Sequence, residues 1–180
     1  SEIMDLFLIN HCSFYVGTIS GTMDTSYLFK KPTFLTNMYE LFPSFPRKKE
    51  DRGIFKKIFD KKKGEYINIK QFAELGIAYH HCEIDMNDLN FIENTSEELL
   101  EGISEYYDLI SSNENKFINS QNSKIQNNFN TFLSNRLQEM YENDFIKNDY
   151  FKKNDWKKNE FMRITKRFKS CEGTLTKSYL

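Results

Sequence analysis

Glycine and proline are scarce in this chain of 180 residues, which contains 7 Gly and 3 Pro. That scarcity excludes a collagen-like chain and a low-complexity chain built on proline and glycine. Cysteine is scarce too, and Cys12, Cys82 and Cys171 lie far apart, with no CxxC pair among them. A disulfide framework is therefore not expected, and a reducing compartment fits the chain best.

Long apolar runs are also missing, since no stretch approaches the roughly 20 apolar residues that span a bilayer. Residues 1–7 show neither the basic start nor the small-residue cleavage site of a signal peptide, which favours a cytoplasmic location. The same residues begin in the middle of an amphipathic pattern. We therefore expect the chain to be a piece of a longer protein, completed by an N-terminal domain or a partner chain.

An excess of charge of one sign is absent from the chain as a whole, which carries 25 Lys and Arg against 26 Asp and Glu. This balance argues against a globally basic nucleic-acid-binding protein. The charges are nevertheless segregated. Residues 47–70 hold ten basic and four acidic residues, residues 71–146 hold three and fourteen, and residues 147–170 hold nine and three.

Two basic islands on either side of an acidic centre leave several interpretations open. The islands and the centre can neutralise each other within the fold. They can instead bind an anion such as a nucleotide diphosphate, or dock a partner chain. A weaker alternative is peripheral attachment to anionic lipid at the inner face of a membrane, through residues 47–63 and 147–169.

The chain does contain 39% hydrophobic and 16% aromatic residues, which is enough for a packed core. Residue spacing predicts a helix that ends near His11, a strand over 13–17, a helix over 23–29 and a strand over 32–37. This order predicts one βαβ unit. The fold class expected is α/β, with a partial Rossmann-like parallel sheet, flanking helices and a helical C-terminal tail.

The remaining elements are predicted less regularly. An irregular loop is expected over 38–53, and residues 54–58 are compatible with a short strand or a helical turn. The later expected elements are an extended segment over 65–69, a short helix over 68–75, a last strand over 89–94, helices over 95–110 and 121–141, and a terminal helix over 173–180. We predict two domains, residues 1–110 and a helical extension, 111–180.

The best candidate for chemistry is the sequence VGTISGT at residues 16–22, between the first predicted strand and helix. Open α/β sheets bind ligands at the carboxyl ends of their strands. Helix N-terminal amides and small hydroxyls suit an anion, and glycines allow a close approach of the backbone. The residues alone fit a phosphate site and a tight structural turn equally well, because GxGxxG and GK[ST] are both absent.

Other catalytic or metal-binding patterns are weak or missing. No GxSxG or HExxH motif occurs. The tripeptide at 80–82, His-His-Cys, cannot close a tetrahedral zinc site by itself, so a loop or a partly buried pair is the favoured interpretation. Asp5 and His11 flank the first strand and are expected to be structural. Residues 94–96 form a glycosylation sequon, but the hydroxyls of Thr95 and Ser96 are better interpreted as the N-cap of the helix that follows.

Residues 5–21 and 29–33, which read DLFLINHCSFYVGTISG and FKKPT, resemble the C-terminal domain of a family of bacterial glycosyltransferases of the GT-B type. In that family a glycine, a small hydroxyl residue and a Ser-Gly pair precede a helix, and a strand led by proline follows. Residues 64–67 and 92–99 and the helix near 126–133 are also similar. The tail over 142–170 departs from the family in its richness in Asn, Lys and aromatics.

This resemblance implies an enzyme of surface polysaccharide synthesis that transfers a sugar from a nucleotide-diphosphate donor to a glycan or lipid-linked acceptor. It implies a diphosphate or sugar site lined by Gly17, Thr18, Ser20, Gly21, Thr22 and, nearby, Asn37. No cofactor is expected, because helix amides stabilise the leaving diphosphate. The catalytic base would come from another domain. The alternative function is a non-catalytic interaction module with charged docking faces.

Overall fold

A computed structural model describes residues 2–39, 46–74, 88–112, 120–140 and 174–175. Within these ranges the helices are α1 (Glu2–His11), α2 (Gly21–Leu28), α3 (Ile69–Glu74), α4 (Ser96–Ser111) and α5 (Ser120–Met140). The strands are β1 (Tyr15–Gly17), β2 (Thr33–Met38), β3 (Arg52–Phe55), β4 (Lys57–Asp60), β5 (Glu65–Ile67), β6 (Leu89–Ile92) and β7 (Thr174–Leu175). The chain is therefore of mixed α/β structure.

The first sheet is parallel, with the strand order β1-β2-β3-β7. Val16 lies opposite Phe34, and Leu35 lies opposite Gly53. Because β1 and β2 are parallel neighbours joined through α2, the predicted βαβ unit is confirmed. Pro32 immediately precedes β2, where it removes no ladder donor from the sheet.

Helices cover both faces of this sheet at β2, whose first four residues are buried. Successive strand residues point to opposite faces. Phe34 packs against Tyr106 of α4, with ring centroids 5.4 Å apart, and Ile54 joins them in the core. On the other face, the hydroxyls of Thr33 and Ser26 of α2 are hydrogen-bonded at 3.1 Å. The core therefore lies between the sheet and α4, and α2 packs against the opposite face of the sheet.

A second sheet is antiparallel, with the strand order β5-β4-β6. Two strands that are consecutive in the chain can pair in parallel only if a crossover connection of roughly a dozen residues or more joins them. The turn from β4 to β5 is only residues 61–64, and Gly64 adopts a positive φ of 70° there. The last strand, predicted over 89–94, is found over Leu89–Ile92 as β6, which pairs antiparallel with β4 in this separate sheet.

Two further expectations need correction. The loop predicted over 38–53 is too long at both ends, because Met38 still belongs to β2 and Arg52 already belongs to β3. The terminal helix predicted over 173–180 is wrong at Thr174 and Leu175, which form β7 beside β3. Hydrogen bonding to a distant strand outweighs local helical spacing at this position. Residues of the predicted helical extension thus form the edge of the parallel sheet.

The helices of the described ranges include none that combines the length and the apolarity needed to cross a membrane. The predicted helices at 95–110 and 121–141 are confirmed as α4 and α5.

Thr95 caps α4, as the sequence predicted. Its hydroxyl accepts a hydrogen bond from the Glu98 amide, and the Glu98 carboxylate accepts one from the Thr95 amide at 2.9 Å. Lys57 forms an ion pair with the same carboxylate. The hydrogen bond from Lys57, followed by that from Thr95, lowers the pKa of Glu98. Glu98 therefore stabilises the fold above its ordinary pKa, and that contribution is lost as the pH falls through the lowered value.

We expect the substitution Thr95→Ala to lower the free energy of unfolding by about 1 kcal/mol, because one helix N–H loses its acceptor. Urea unfolding at neutral pH measures this loss. Ser96→Ala, one residue into the helix and exposed, is the matched control and should change stability by much less. Equal losses for the two variants would contradict the assignment of Thr95 as the cap.

Candidate anion-binding turn

The turn between β1 and α2 brings five of the six predicted site residues together. Gly17 ends β1 at its carboxyl end, and α2 begins four residues later, at Gly21. The intervening turn is exposed at Thr18 and Ser20, and Thr22 lies exposed in the first turn of α2. The structure thus has the arrangement predicted for this segment, a parallel strand leading through a small polar turn into a helix.

A chain of hydrogen-bonded hydroxyls runs across this turn. The Tyr15 hydroxyl lies 2.8 Å from Thr22 Oγ1, and Thr22 Oγ1 lies 2.7 Å from Ser20 Oγ. Ser20 also donates to the Thr18 carbonyl oxygen at 3.3 Å. All these groups are exposed, so each hydroxyl can rotate and exchange a partner within the turn for a ligand oxygen.

Ser20 occupies the N-cap position of α2 but its side chain does not cap the helix. The earliest amides bonded within the helix are those of Met23 and Asp24, which donate to the Ser20 carbonyl oxygen at 3.1 and 3.4 Å. The amides of Gly21 and Thr22 come before them and have no intrahelical acceptor. They lie at the positive end of the helix dipole, where an anion is stabilised.

The two glycines of the turn differ in their surroundings. A Cβ added at Gly21 would have no atom within 4 Å, so the space above the first turn of α2 is open. A Cβ added at Gly17 would lie 2.7 Å from Cζ of Tyr15. A side chain at Gly17 would therefore require the Tyr15 ring that folds over it to move, whereas the position of Gly21 leaves room for a ligand.

Tyr15 is the residue of this turn that the sequence analysis missed. It was assigned only to a strand, yet its hydroxyl reaches Thr22. The signal was present in the spacing, since Tyr15 and Gly17 are two residues apart and share one face of the strand. A glycine in that position leaves room for a tyrosine ring to lie along the backbone.

Asn37 lies at the carboxyl end of β2, the same edge of the sheet, but its side chain is already engaged. Its side-chain oxygen accepts a hydrogen bond from the Asn94 amide at 2.7 Å, and the Asn94 side chain accepts one from the Asn37 amide at 2.8 Å. Asn94 also donates to the Phe55 carbonyl oxygen. Asn37 has a positive φ of 52°, which asparagine tolerates better than most residues. This pair joins β2 and β3 to the segment before α4.

Buried polar groups also anchor the opposite edge of the sheet. Asp51 is fully buried and accepts hydrogen bonds from the amides of Thr33 and Lys48 at 2.9 and 2.8 Å. Burial raises the pKa of Asp51 and lowers the pKa of the neighbouring Arg52. Arg52 donates to the carbonyl oxygens of Lys49 and Asp51. These contacts tie the segment 46–51 to the amino ends of β2 and β3, far from the α2 turn.

The basic island over 47–70 is partly neutralised inside the chain. Lys56, Lys57 and Lys62 form ion pairs with three acids of the acidic centre: Glu93, Glu98 and Asp88 respectively. Arg47 pairs with Asp24 at 2.7 Å, and Lys63 lies 3.9 Å from Asp60. This pattern supports mutual neutralisation for residues 47–70. The second basic island, 147–170, lies outside the described residues.

Metal chemistry has no support in the part of the chain that the structure describes, where no three His, Cys, Asp or Glu side chains are grouped to hold an ion. The tripeptide at 80–82 and Cys171 fall outside that part. Cys12 donates to the Ile9 carbonyl oxygen at 3.1 Å. The His11 ring stacks on Phe7 and bonds to its carbonyl oxygen at 2.8 Å, which is the structural role expected for it.

Comparison with protein-family models, with curated proteins and with solved structures finds no match to this chain.

Proposed function

We propose that the β1–α2 turn binds the phosphate groups of a nucleotide-linked sugar, and that the chain is the donor-binding portion of a glycosyltransferase. The observation that carries the proposal is the N-terminus of α2. Ser20 leaves it uncapped, and open space lies above Gly21. A phosphate group placed there accepts hydrogen bonds from the first helix amides and from the turn hydroxyls.

The same groups account for the role that the turn would play in transfer. A sugar leaves its nucleotide as negative charge grows on the departing diphosphate. The first amides of α2 stabilise that charge without reorganising, and turn hydroxyls that have exchanged their partners for phosphate oxygens add to the stabilisation. Ser20 and Thr22 then donate to phosphate oxygens, and Thr18 lies beside the diphosphate or the sugar. Asn37 holds the carboxyl end of β2 in place beside the turn through its hydrogen bonds with Asn94.

The finer parts of the proposal rest on the resemblance stated for residues 5–33. The parallel strand order β1-β2-β3 supports, as part of the proposal, one half of a doubly wound, Rossmann-like sheet. A second domain or a partner chain would supply the catalytic base and hold a glycan or lipid-linked acceptor. The proposed setting is cytoplasmic surface polysaccharide synthesis at the inner face of a membrane.

Docking of a partner chain or an anionic membrane through the basic residues at 47–63 has less support. Arg47, Lys56 and Lys57 already have acidic partners within the chain, as does Lys62. Exposed ion pairs contribute little to stability, so they can be exchanged. The acidic partners of these four basic residues nevertheless reduce the net positive field that such docking requires.

The proposal is tested by the melting temperature of the full chain in pyrophosphate, UDP, GDP, CMP and the sugar conjugates of each nucleotide. We expect one class of sugar nucleotide to protect the fold. At a hundredfold excess over the dissociation constant, the stabilisation is about 2.7 kcal/mol. Gly21→Val should abolish this protection without unfolding the protein, because its Cβ enters open space.

Ser20→Ala should weaken the protection while leaving the unliganded melting temperature nearly unchanged, since Ser20 does not cap α2. Ser104→Ala, an exposed serine on α4, is the matched control and should keep full protection. Protection by pyrophosphate equal to that by every nucleotide sugar would reduce the turn to a general anion site. No protection by any compound would overturn the proposal.

A further inference from the structure

A cavity of about 730 Å³ lies at the carboxyl end of β3, away from the α2 turn. Its walls come from the second sheet, from the first residue of α3, and from α4 and α5. β1 and β3 are separated by β2, so the two regions are about 10 Å apart along the sheet. Pockets of roughly 300–1,000 Å³ are typical of sites for small organic molecules.

The floor of this cavity is apolar because of strand register. Ile58 of β4 lies directly opposite Ile67 of β5, so both side chains point to the same face of the antiparallel sheet. Ile54 from β3 extends the same floor, and all three are buried in the fold. Phe129 of α5 adds an aromatic wall. Tyr66 points to the other face of the sheet, where its ring packs against Phe59, so it lines the cavity at the end of β5 and is 60% exposed.

Lys56, Lys57 and Glu98 at the rim are paired within the protein, whereas Glu101 of α4 is exposed to solvent. Lys57 Nζ lies 2.5 Å from one oxygen of Glu98, and the other Glu98 oxygen accepts from the Thr95 amide. Lys56 lies 3.4 Å from Glu93. An anionic ligand would have to separate these pairs and would be repelled by Glu101, whereas a neutral ligand can hydrogen-bond to the pairs as they stand.

We propose that this cavity binds an uncharged, mainly apolar small molecule, with its apolar body against Ile67, Ile69 and Phe129 and one polar end at the Lys57–Glu98 pair. This site goes beyond the proposed function, since it uses none of the residues of the α2 turn. A ligand here contacts both sheets, because Ile54 belongs to the first and Ile58 to the second.

Nile red, an uncharged apolar dye, is the probe, and its fluorescence is titrated with the full chain. We expect saturable, blue-shifted binding. Ile69→Trp fills the cavity at the start of α3 and should weaken binding roughly tenfold or more, a change of about 1.4 kcal/mol. Leu28→Trp places the same side chain at a 76% exposed position on α2 and should bind as the parent chain does.

Tyr66→Ala gives the same test in a variant that the fold tolerates, because Tyr66 is mostly exposed, and it should weaken binding severalfold. Leu8→Gln removes an exposed apolar residue of α1 and should have no effect. Loss of dye binding in Leu8→Gln alone, equal binding by all variants, or no saturable binding would overturn the inference. Pyrophosphate should not displace the dye, so the outcome does not depend on the α2 turn.

Discussion

Replacing Asn94 by alanine is expected to lower the free energy of unfolding by roughly 2–4 kcal/mol, because two buried backbone groups lose their partners. The Asn94 side chain accepts a hydrogen bond from the Asn37 amide and donates one to the Phe55 carbonyl oxygen, both at 2.8 Å. Asn94 itself is 8% exposed, so water cannot easily replace either contact. Urea unfolding at neutral pH measures the change.

The control for this substitution is Asn90→Ala, an exposed asparagine on β6. It should change stability by less than about 0.5 kcal/mol. Asn94→Asp keeps the oxygen that accepts from Asn37 but places a buried carboxylate oxygen against the Phe55 carbonyl oxygen, so at neutral pH it should be no more stable than Asn94→Ala. If Asn94→Ala and Asn90→Ala unfolded at the same urea concentration, the connection of β2 and β3 through Asn94 would be refuted.

The second large effect is expected at Asp51. Asp51→Ala leaves the buried amide of Thr33 and the half-buried amide of Lys48 without an acceptor, which we expect to cost roughly 2–4 kcal/mol. The substitution also releases the segment 46–51 from the amino end of β2. Amide hydrogen exchange should therefore rise at Thr33 and Lys48 more than in α4, whose hydrogen bonds do not depend on Asp51.

The pH dependence of stability separates the charge of Asp51 from its hydrogen bonds. Burial raises the pKa of Asp51, so the folded chain binds a proton more tightly than the unfolded chain. Its contribution is full below the ordinary aspartate pKa and is lost as the pH rises through the raised value. Asp51→Asn should remove that decline, whereas Asp108→Asn, an exposed acid on α4, should preserve it. An unchanged decline in Asp51→Asn would contradict this role.

Much of the local structure follows from short patterns. The turn at residues 16–22, the Pro32-led strand and the helix after Thr95 depend on residues within a few positions of one another. Each was predicted, and the capping box of Thr95 and Glu98 shows why: its two partners are three residues apart. The location of the candidate turn follows for the same reason, since a parallel strand and the helix after it place the turn at the strand's carboxyl end.

The missed features depend on partners far away in the chain. Asn37 and Asn94 are 57 residues apart, and no periodicity connects them. The pairing of Thr174 with Arg52 likewise has no local signature, and helical spacing around 173–180 suggested a different element. The composition could not predict that the parallel sheet ends with β3 and the antiparallel sheet begins with β4, because Lys56 is the single residue between these two strands.

By itself the sequence determined the βαβ unit, the capped helix α4 and the turn with its hydroxyls and glycines, because hydrophobic period, capping and turn chemistry act over a few residues. The tertiary structure decided the rest. It placed the Tyr15 ring over Gly17, left α2 uncapped by Ser20, and paired the lysines at 56 and 57 with acids beyond residue 92. Those outcomes depend on which strands and helices become neighbours, and that choice is made by packing across the whole chain.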